Sequence, residues 1–245
     1  MNKNWLAMTA IGALLGASAL ASAGECGPDA LGTERTLTLK REYAAYGKTQ
    51  HESLPLKKGE VVLTFDDGPR VETTPLVLKA LADQCAKASF FMVGNNIAAH
   101  PDLARAVMQA GHSTGIHSYT HAHQGAMSPA DQLADLKKTE DAYLAAFGTP
   151  TPAYRFPFLE ETPTLLAALK AAGTTVMSVD LGIEDWEPNE QQPDRLAARL
   201  AEHLQASGGG IILMHDANAP TAAALPLLLK VLKDKGYKVV HLEWQ

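Results

Sequence analysis

The sequence predicts an α/β protein built on a parallel sheet. Three observations carry that reading. From residue 59 onward, seven apolar strand-like segments alternate with six helical ones, and such alternation demands right-handed crossovers between parallel strands. Ionisable residues gather where the apolar strands end. No glycine-rich phosphate loop opens a helix: "SGGGII" (207–212) leads into a strand and reads as a turn. The first and last strands are both apolar, so the sheet can close into a barrel; an open doubly wound sheet is the competing arrangement.

In chain order, "EVVLTF" (60–65) reads as a strand and "TTPLVLKALADQCA" (73–86) as a helix. "ASFFMV" is the next strand. "HPDLARAVMQAG" is a helix opened by Pro101 and closed by Gly111. "HSTGIHS" is a weak strand. "SPADQLADLKKTEDAYLAAFG" is a long amphipathic helix with Ser128 as N-cap, Pro129 at its first position and Gly148 at its end. "PAYRFPF" is extended. "TPTLLAALKAAG" is a helix ended by Gly173, and "TTVMSVDL" is a single strand. A helix over "QPDRLAARLAEHLQASGGG" precedes the strongly apolar strand "GIILMHD". The helix "APTAAALPLLLKVLKDKGY" carries Pro226 inside it, a site for a kink. "KVVHLE" is the last strand.

The chain divides into three parts. Residues 1–23 carry one charge, Lys3, then an Ala-rich apolar run, then Ala21-Ser22-Ala23. That order is a secretory signal peptide cleaved after Ala23, and the run is short for a membrane anchor. A lipoprotein is disfavoured, because Glu25 precedes Cys26 where a small residue is required. Residues 24–58 form an N-terminal extension wrapped on the main domain, with a short strand at "RTLTLK". Residues 59–245 form that domain. The protein is expected to be exported, periplasmic or secreted, and free of the membrane after cleavage. With 46% apolar residues the chain can build a sizeable core, and with a net charge of −6 and no basic stripe it is a poor nucleic-acid partner. Its two cysteines, Cys26 and Cys85, can form a disulfide in an oxidising compartment or remain free thiols.

Asp66 and Asp67 sit side by side at the end of an apolar strand, and adjacent carboxylates repel unless something positive lies near them. His117 and His121 follow the third strand, Arg155 the fourth, Asp180 and Asp185 the fifth, His215 and Asp216 the sixth. In a parallel barrel those ends converge on one rim, where active sites form. His117 and His121, four apart, can face one point. Two imidazoles and one carboxylate leave open positions on a divalent cation, which suits catalysis. Strand alternation lets one aspartate bind that cation while the other stays ionised beside it as a base. Each feature alone has a plainer reading. Asp before Gly-Pro caps turns, an isolated H-x-x-x-H is weak, and Ser118 stands where a zincin motif has Glu. His51, His100, His112, His123, His203 and His241 read as structural or surface residues.

With those residues in hand, the chain resembles the polysaccharide deacetylases, the NodB-homology or carbohydrate esterase family 4 group, over roughly residues 59–245. "TFDDGP", "HSYTH", "RFPF", "DLGIEDW" and "LMHD" resemble the family's five motifs in order. The resemblance implies a distorted (β/α)7 barrel. It also implies a metal-dependent hydrolase that removes N-acetyl groups from a glycan such as chitooligosaccharide or peptidoglycan. By position, Asp67, His117 and His121 would hold one metal ion, usually zinc, and Asp66 would be the base steered by Arg155. The Phe158 amide would stabilise the oxyanion, and His215 would be the acid oriented by Asp185. Trp186 and Leu213 would line the slot for the acetyl methyl; both also read as core residues. Two departures stand out. Leu159 occupies a position where many members have Gly, and four residues rather than two separate Asp180 from Asp185; of the two, the adjacency to Trp186 favours Asp185 as the support of His215. An O-acetyl esterase acting on xylan and an inactive glycan-binding module are the alternatives. Aromatic residues make up only 6% of the chain, which points to short or flexible glycans.

Overall fold

The computed structural model describes residues 26–245; the signal-peptide reading of residues 1–23 lies outside them. The extension contributes β1 (Arg35–Leu39) and β2 (Ala45–Tyr46), and the motif "VVLTFDD" begins in β3 (Glu60–Asp66). There follow α1 (Thr74–Asp83), β4 (Ser89–Met92), α2 (Gly94–Ala99), α3 (Pro101–Gln109), β5 (Ser113–Ile116) and α4 (Pro129–Phe147). Next come β6 (Ala153–Tyr154), α5 (Pro163–Ala172), β7 (Thr175–Met177), β8 (Leu181–Gly182) and α6 (Pro193–Ser207). The chain ends with β9 (Gly210–His215), α7 (Ala219–Asp234) and β10 (Lys238–Trp244). Every pairing among these strands is parallel.

Local chemistry accounts for the helix ends. Ser128 Oγ accepts from the amide of Asp131, and Gly148 closes α4 with φ 73°. Thr162 caps α5 in the same way, and Gly173 ends it at φ 69°. These left-handed closing positions carry no Cβ penalty in glycine. α7 runs through Pro226 as one helix, its Leu225, Leu228, Leu229 and Leu232 buried. In "PAYRFPF" only Ala153–Tyr154 form a strand, Phe156 is extended beyond it, and Pro157–Leu159 turns into a single 3-10 turn.

Two layers of core follow from the two-residue period of β3. Val61, Leu63 and Phe65 point outward, into a large cluster shared with the helices. Val62 points inward, with Phe91, Ala153, Met177, Ile211, Val240 and Leu242, and fills the barrel interior. Above that apolar floor the inward residues turn polar: Thr64, Asp66 and Arg155, all buried.

Closure of the ring by the first and last strands of the domain is a correction. β3 pairs with β9 over six positions, Val61 to Asp66, whereas β10 meets β3 only at Glu60 and Val61 and otherwise pairs with β1. Among the described residues the sheet is not closed by hydrogen bonds. "TTVMSVDL", read as one strand, is two. Its first half pairs with β6 and its second with β9. The chain bends at Ser178–Asp180 and opens the ring there, and β2 lies on the free edge of β7. Asp180 spans the gap, its two carboxylate oxygens accepting from the amides of Lys48 (2.6 Å) and Ile211 (2.9 Å). Cys26 and Cys85 are joined as a disulfide, which ties the extension to the end of α1.

Candidate active site

The inward residues and strand-end loops enclose a cleft of about 510 Å3 lined by Asp66, Asp67, His117, His121, Phe156, Phe158, Leu159, Trp186, Gln191, Leu213, His215 and Asn218. Asp66 ends β3 and is buried. Its Oδ1 accepts from Arg155 Nη1 at 2.7 Å. The same guanidinium donates to Thr64 Oγ1 (2.8 Å), to the Met177 carbonyl (2.9 Å) and to the Ser178 carbonyl (3.1 Å), and it lies over the Phe91 ring. A fully buried charge needs such a complete set of partners. Burial raises the Asp66 carboxyl above its ordinary range, and the Arg155 charge opposes the rise.

Asp67 leaves the strand with φ 75°, which turns its side chain away from that of Asp66. Its Oδ1 lies 3.6 Å from His117 Nε2 and 3.3 Å from His121 Nε2. That oxygen is buried and accepts no hydrogen bond. The ligand atoms of Asp67, His117 and His121 all lie within 4.8 Å of one another. His117 Nδ1 donates to the Arg155 carbonyl at 2.8 Å, which fixes the tautomer with Nε2 free to bind. Burial pulls the His117 imidazole down to about 3, so it stays neutral. An unpartnered buried carboxylate oxygen beside two imidazoles fits a divalent cation. The loop carrying the histidines is braced locally: Ser118 Oγ accepts from the His121 amide (2.9 Å), and Asp135 of α4 accepts from the Tyr119 amide (2.9 Å).

Across the cleft, His215 ends β9. Its Nδ1 donates to Asp185 Oδ1 at 2.7 Å, and its amide donates to Asp185 Oδ2 at 2.9 Å. Thr221 of α7 donates to the same Oδ2. The residue beside His215 is therefore Asp185; Asp180 is engaged at the barrel gap. Burial disfavours the charged imidazole, but the Asp185 hydrogen bond and the carboxylates of Asp185, Asp66 and Asp67 together outweigh it and raise His215 to about 9.

Leu213 and His215 point the same way along β9, and Leu213 lines the cleft. Trp186 stands edge-on to His215, ring centroids 5.7 Å apart, and is 47% exposed, so it is not a core residue. Phe158 is also half exposed, its ring edge-on to His121 and stacked on His123 at 4.0 Å. Phe158 and Leu159 have φ of 55° and 57°. A position held in that region suits glycine, and leucine holds it under strain.

Sequence reasoning passed over several neighbours of the cleft. His51 and His123, read as structural or surface residues, both contact the loop after Arg155, His51 through Glu161 and His123 through Glu160. Gln191 and Asn218 line the cleft and donate to the Asp185 carbonyl. Asp216, noted only as a strand-end residue, is buried behind Gly68 and accepts from Thr74, and burial raises its carboxyl to about 7. Only the position of Asp216, directly after His215, carried a signal in the sequence.

A family model described as polysaccharide deacetylase matches residues 53–177. A peptidoglycan-N-acetylglucosamine deacetylase from Bacillus cereus is 32% identical over 183 residues, covering 72% of this chain and 66% of its own length. A chitin deacetylase from Colletotrichum lindemuthianum is 32% identical over 192 residues, covering 74% of this chain and 77% of its own. Among solved structures, a Bdellovibrio bacteriovorus peptidoglycan deacetylase superposes with a TM-score of 0.74 at 31% identity, over 85% of this chain and 59% of that one.

Proposed function

Since this chain belongs to the polysaccharide deacetylase family, we propose that it hydrolyses N-acetyl groups on a glycan, a chitooligosaccharide or peptidoglycan, with one divalent metal ion held by Asp67, His117 and His121. The observation that carries the reading is the buried, unpartnered Asp67 Oδ1 between two imidazole nitrogens. Two imidazoles and a carboxylate suit zinc. A cation held there would polarise the acetamide carbonyl and lower the pKa of water from about 16 to about 7.

The remaining steps belong to the protein's own groups. Asp66 Oδ1 stays bound to Arg155, and Asp66 Oδ2 takes the proton of the attacking water. A carboxyl raised by burial is a stronger base for that transfer. As the water oxygen bonds to the carbonyl carbon, the Phe158 amide donates to the developing oxyanion; a donor of this kind is worth about 3 kcal/mol of barrier. His215, holding its proton at neutral pH through Asp185, delivers that proton from Nε2 to the departing nitrogen. The C–N bond then breaks to give acetate and a free amine. Trp186 and Leu213 flank the acetyl methyl and exclude water from it. An amine leaves poorly without a proton, so the strongly proton-holding His215 favours an amide over an ester substrate.

The protein is read as exported. The leader-like residues 1–23 and the Cys26–Cys85 disulfide both suit an oxidising compartment. Among the described residues no helix is long and apolar enough to cross a membrane. Acetate release from chitopentaose, peptidoglycan and acetylated xylan, with and without added zinc, tests the function. Release from an N-acetylated glycan is the expected result. Release from xylan alone would make the chain an esterase, and silence on all three would leave a glycan-binding module.

A further inference from the structure

Phe158 and Leu159 are successive non-glycine residues in the left-handed region. Such a pair persists only where its surroundings hold it. Besides its own backbone bonds and the His121 and His123 rings against Phe158, this loop is held by groups from a turn more than a hundred residues away. Gly47–Glu52 closes on itself, the Gly47 carbonyl accepting from His51 N (2.7 Å) and the Glu52 carbonyl from Gly47 N (2.9 Å). Thr49 N donates to the Val179 carbonyl at 3.1 Å, which seats the turn on the bend after β7. From that base Gln50 Nε2 donates to the Leu159 carbonyl at 2.8 Å, and His51 Nε2 donates to Glu161 at 2.5 Å. Gln50 faces two ways. Its Oε1 accepts from Ser178 Oγ at 2.7 Å, and the Ser178 carbonyl accepts from Arg155 Nη2 at 3.1 Å.

We propose that Gln50 and His51, both in the N-terminal extension, are positioning residues that clamp the 157–161 loop and so aim the Phe158 amide into the cleft. The proposal rests on the reading of that amide as the oxyanion donor. Neither residue reaches the reacting atoms; each acts through the loop. The extension is thereby part of the catalytic apparatus as well as a cover for the open edge of β7. Gln50 also links the loop, through Ser178, to the Arg155 that holds Asp66.

Gln50→Ala, Gln50→Glu and His51→Ala test this in the full chain, by hydrogen exchange and by kinetics on chitopentaose. Peptides covering 156–161 should exchange faster in each variant while α4 peptides keep the wild-type rate. The value of kcat should fall by about tenfold to a hundredfold, as for a misplaced catalytic group, with KM and zinc affinity little changed. Gln50→Glu keeps the length and the acceptor for Ser178 but cannot donate to the Leu159 carbonyl, so it should behave like Gln50→Ala. Unchanged exchange at 156–161 overturns the clamp, and faster exchange with unaltered kcat overturns the positioning role. A Gln50→Glu protein indistinguishable from wild type overturns both. Wild-type silence on every acetylated glycan defeats the function reading and the positioning role with it, whatever the exchange rates show of the clamp.

Discussion

Asp185 shows how one buried carboxylate can set the working state of another residue. It accepts from His215 Nδ1, from the His215 amide and from Thr221, and against the cost of burial it is the main group, with Asp66 and Asp67 adding to it, that holds the imidazole proton to about 9. A general acid must be protonated to act, so activity should fall as pH rises through that value. Asp185→Asn removes the charge, and the falling limb of the kcat–pH profile should then move from about 9 toward the ordinary imidazole value of about 6.5. A profile whose alkaline limb stays in place would deny His215 the acid role. At this scale the sequence was informative where chemistry sits next to a strand end: Asp66, Asp67, His117, His121, Arg155 and His215 are all found around the cleft or directly beneath it. The adjacency to Trp186 pointed to Asp185 rather than Asp180 as the partner of His215, but no more than that, because the choice depends on where the chain bends. Gln50 and His51 were invisible for a related reason: their partners lie 109 and 110 residues away.

Elements were legible in proportion to their length. The helix α4 announces itself through Ser128, Pro129 and Gly148, and its 19 residues repeat the helical period several times. The six-residue α2 and two-residue β2 are too short for any period to register. "TTVMSVDL" read as one strand because apolar alternation cannot reveal a change of neighbour. The turn after β2 holds a sharp test. Gly47 has φ 115°, and a Cβ there would lie 2.5 Å from the Ser178 carbonyl carbon and the Val179 nitrogen. Gly47→Ala should therefore cost about 1–3 kcal/mol through backbone strain, read as a lower denaturant midpoint with an unchanged slope. A variant as stable as wild type would mean that the turn relaxes freely and that β2 contributes little.

The whole molecule was legible as a class, because alternating strands and helices leave few topologies open. How the ring closes was not, since register and partner choice are settled by packing in three dimensions. Stability against acid also belongs to this scale. His112 is buried, its Nδ1 accepts from the Ala88 amide, and burial holds it down to about 3, with Lys87 and His241 adding to the effect. The unfolded chain protonates the same residue near pH 6.5. Its depressed value therefore contributes stability that is complete above about 6.5 and is lost as pH falls toward 3. Melting temperature should decline across that window, and His112→Asn should flatten the decline. A variant with the wild-type slope would assign the acid sensitivity elsewhere.

In the proposed mechanism Asp67, His117 and His121 hold one catalytic cation. Zinc titrated back into chelator-treated protein, with acetate release from chitopentaose followed at each addition, tests it most directly. The metal-free protein should be silent and regain full activity at one zinc per chain, with no return in Asp67→Ala. Full turnover by the metal-free protein, or equal recovery in Asp67→Ala, would contradict it.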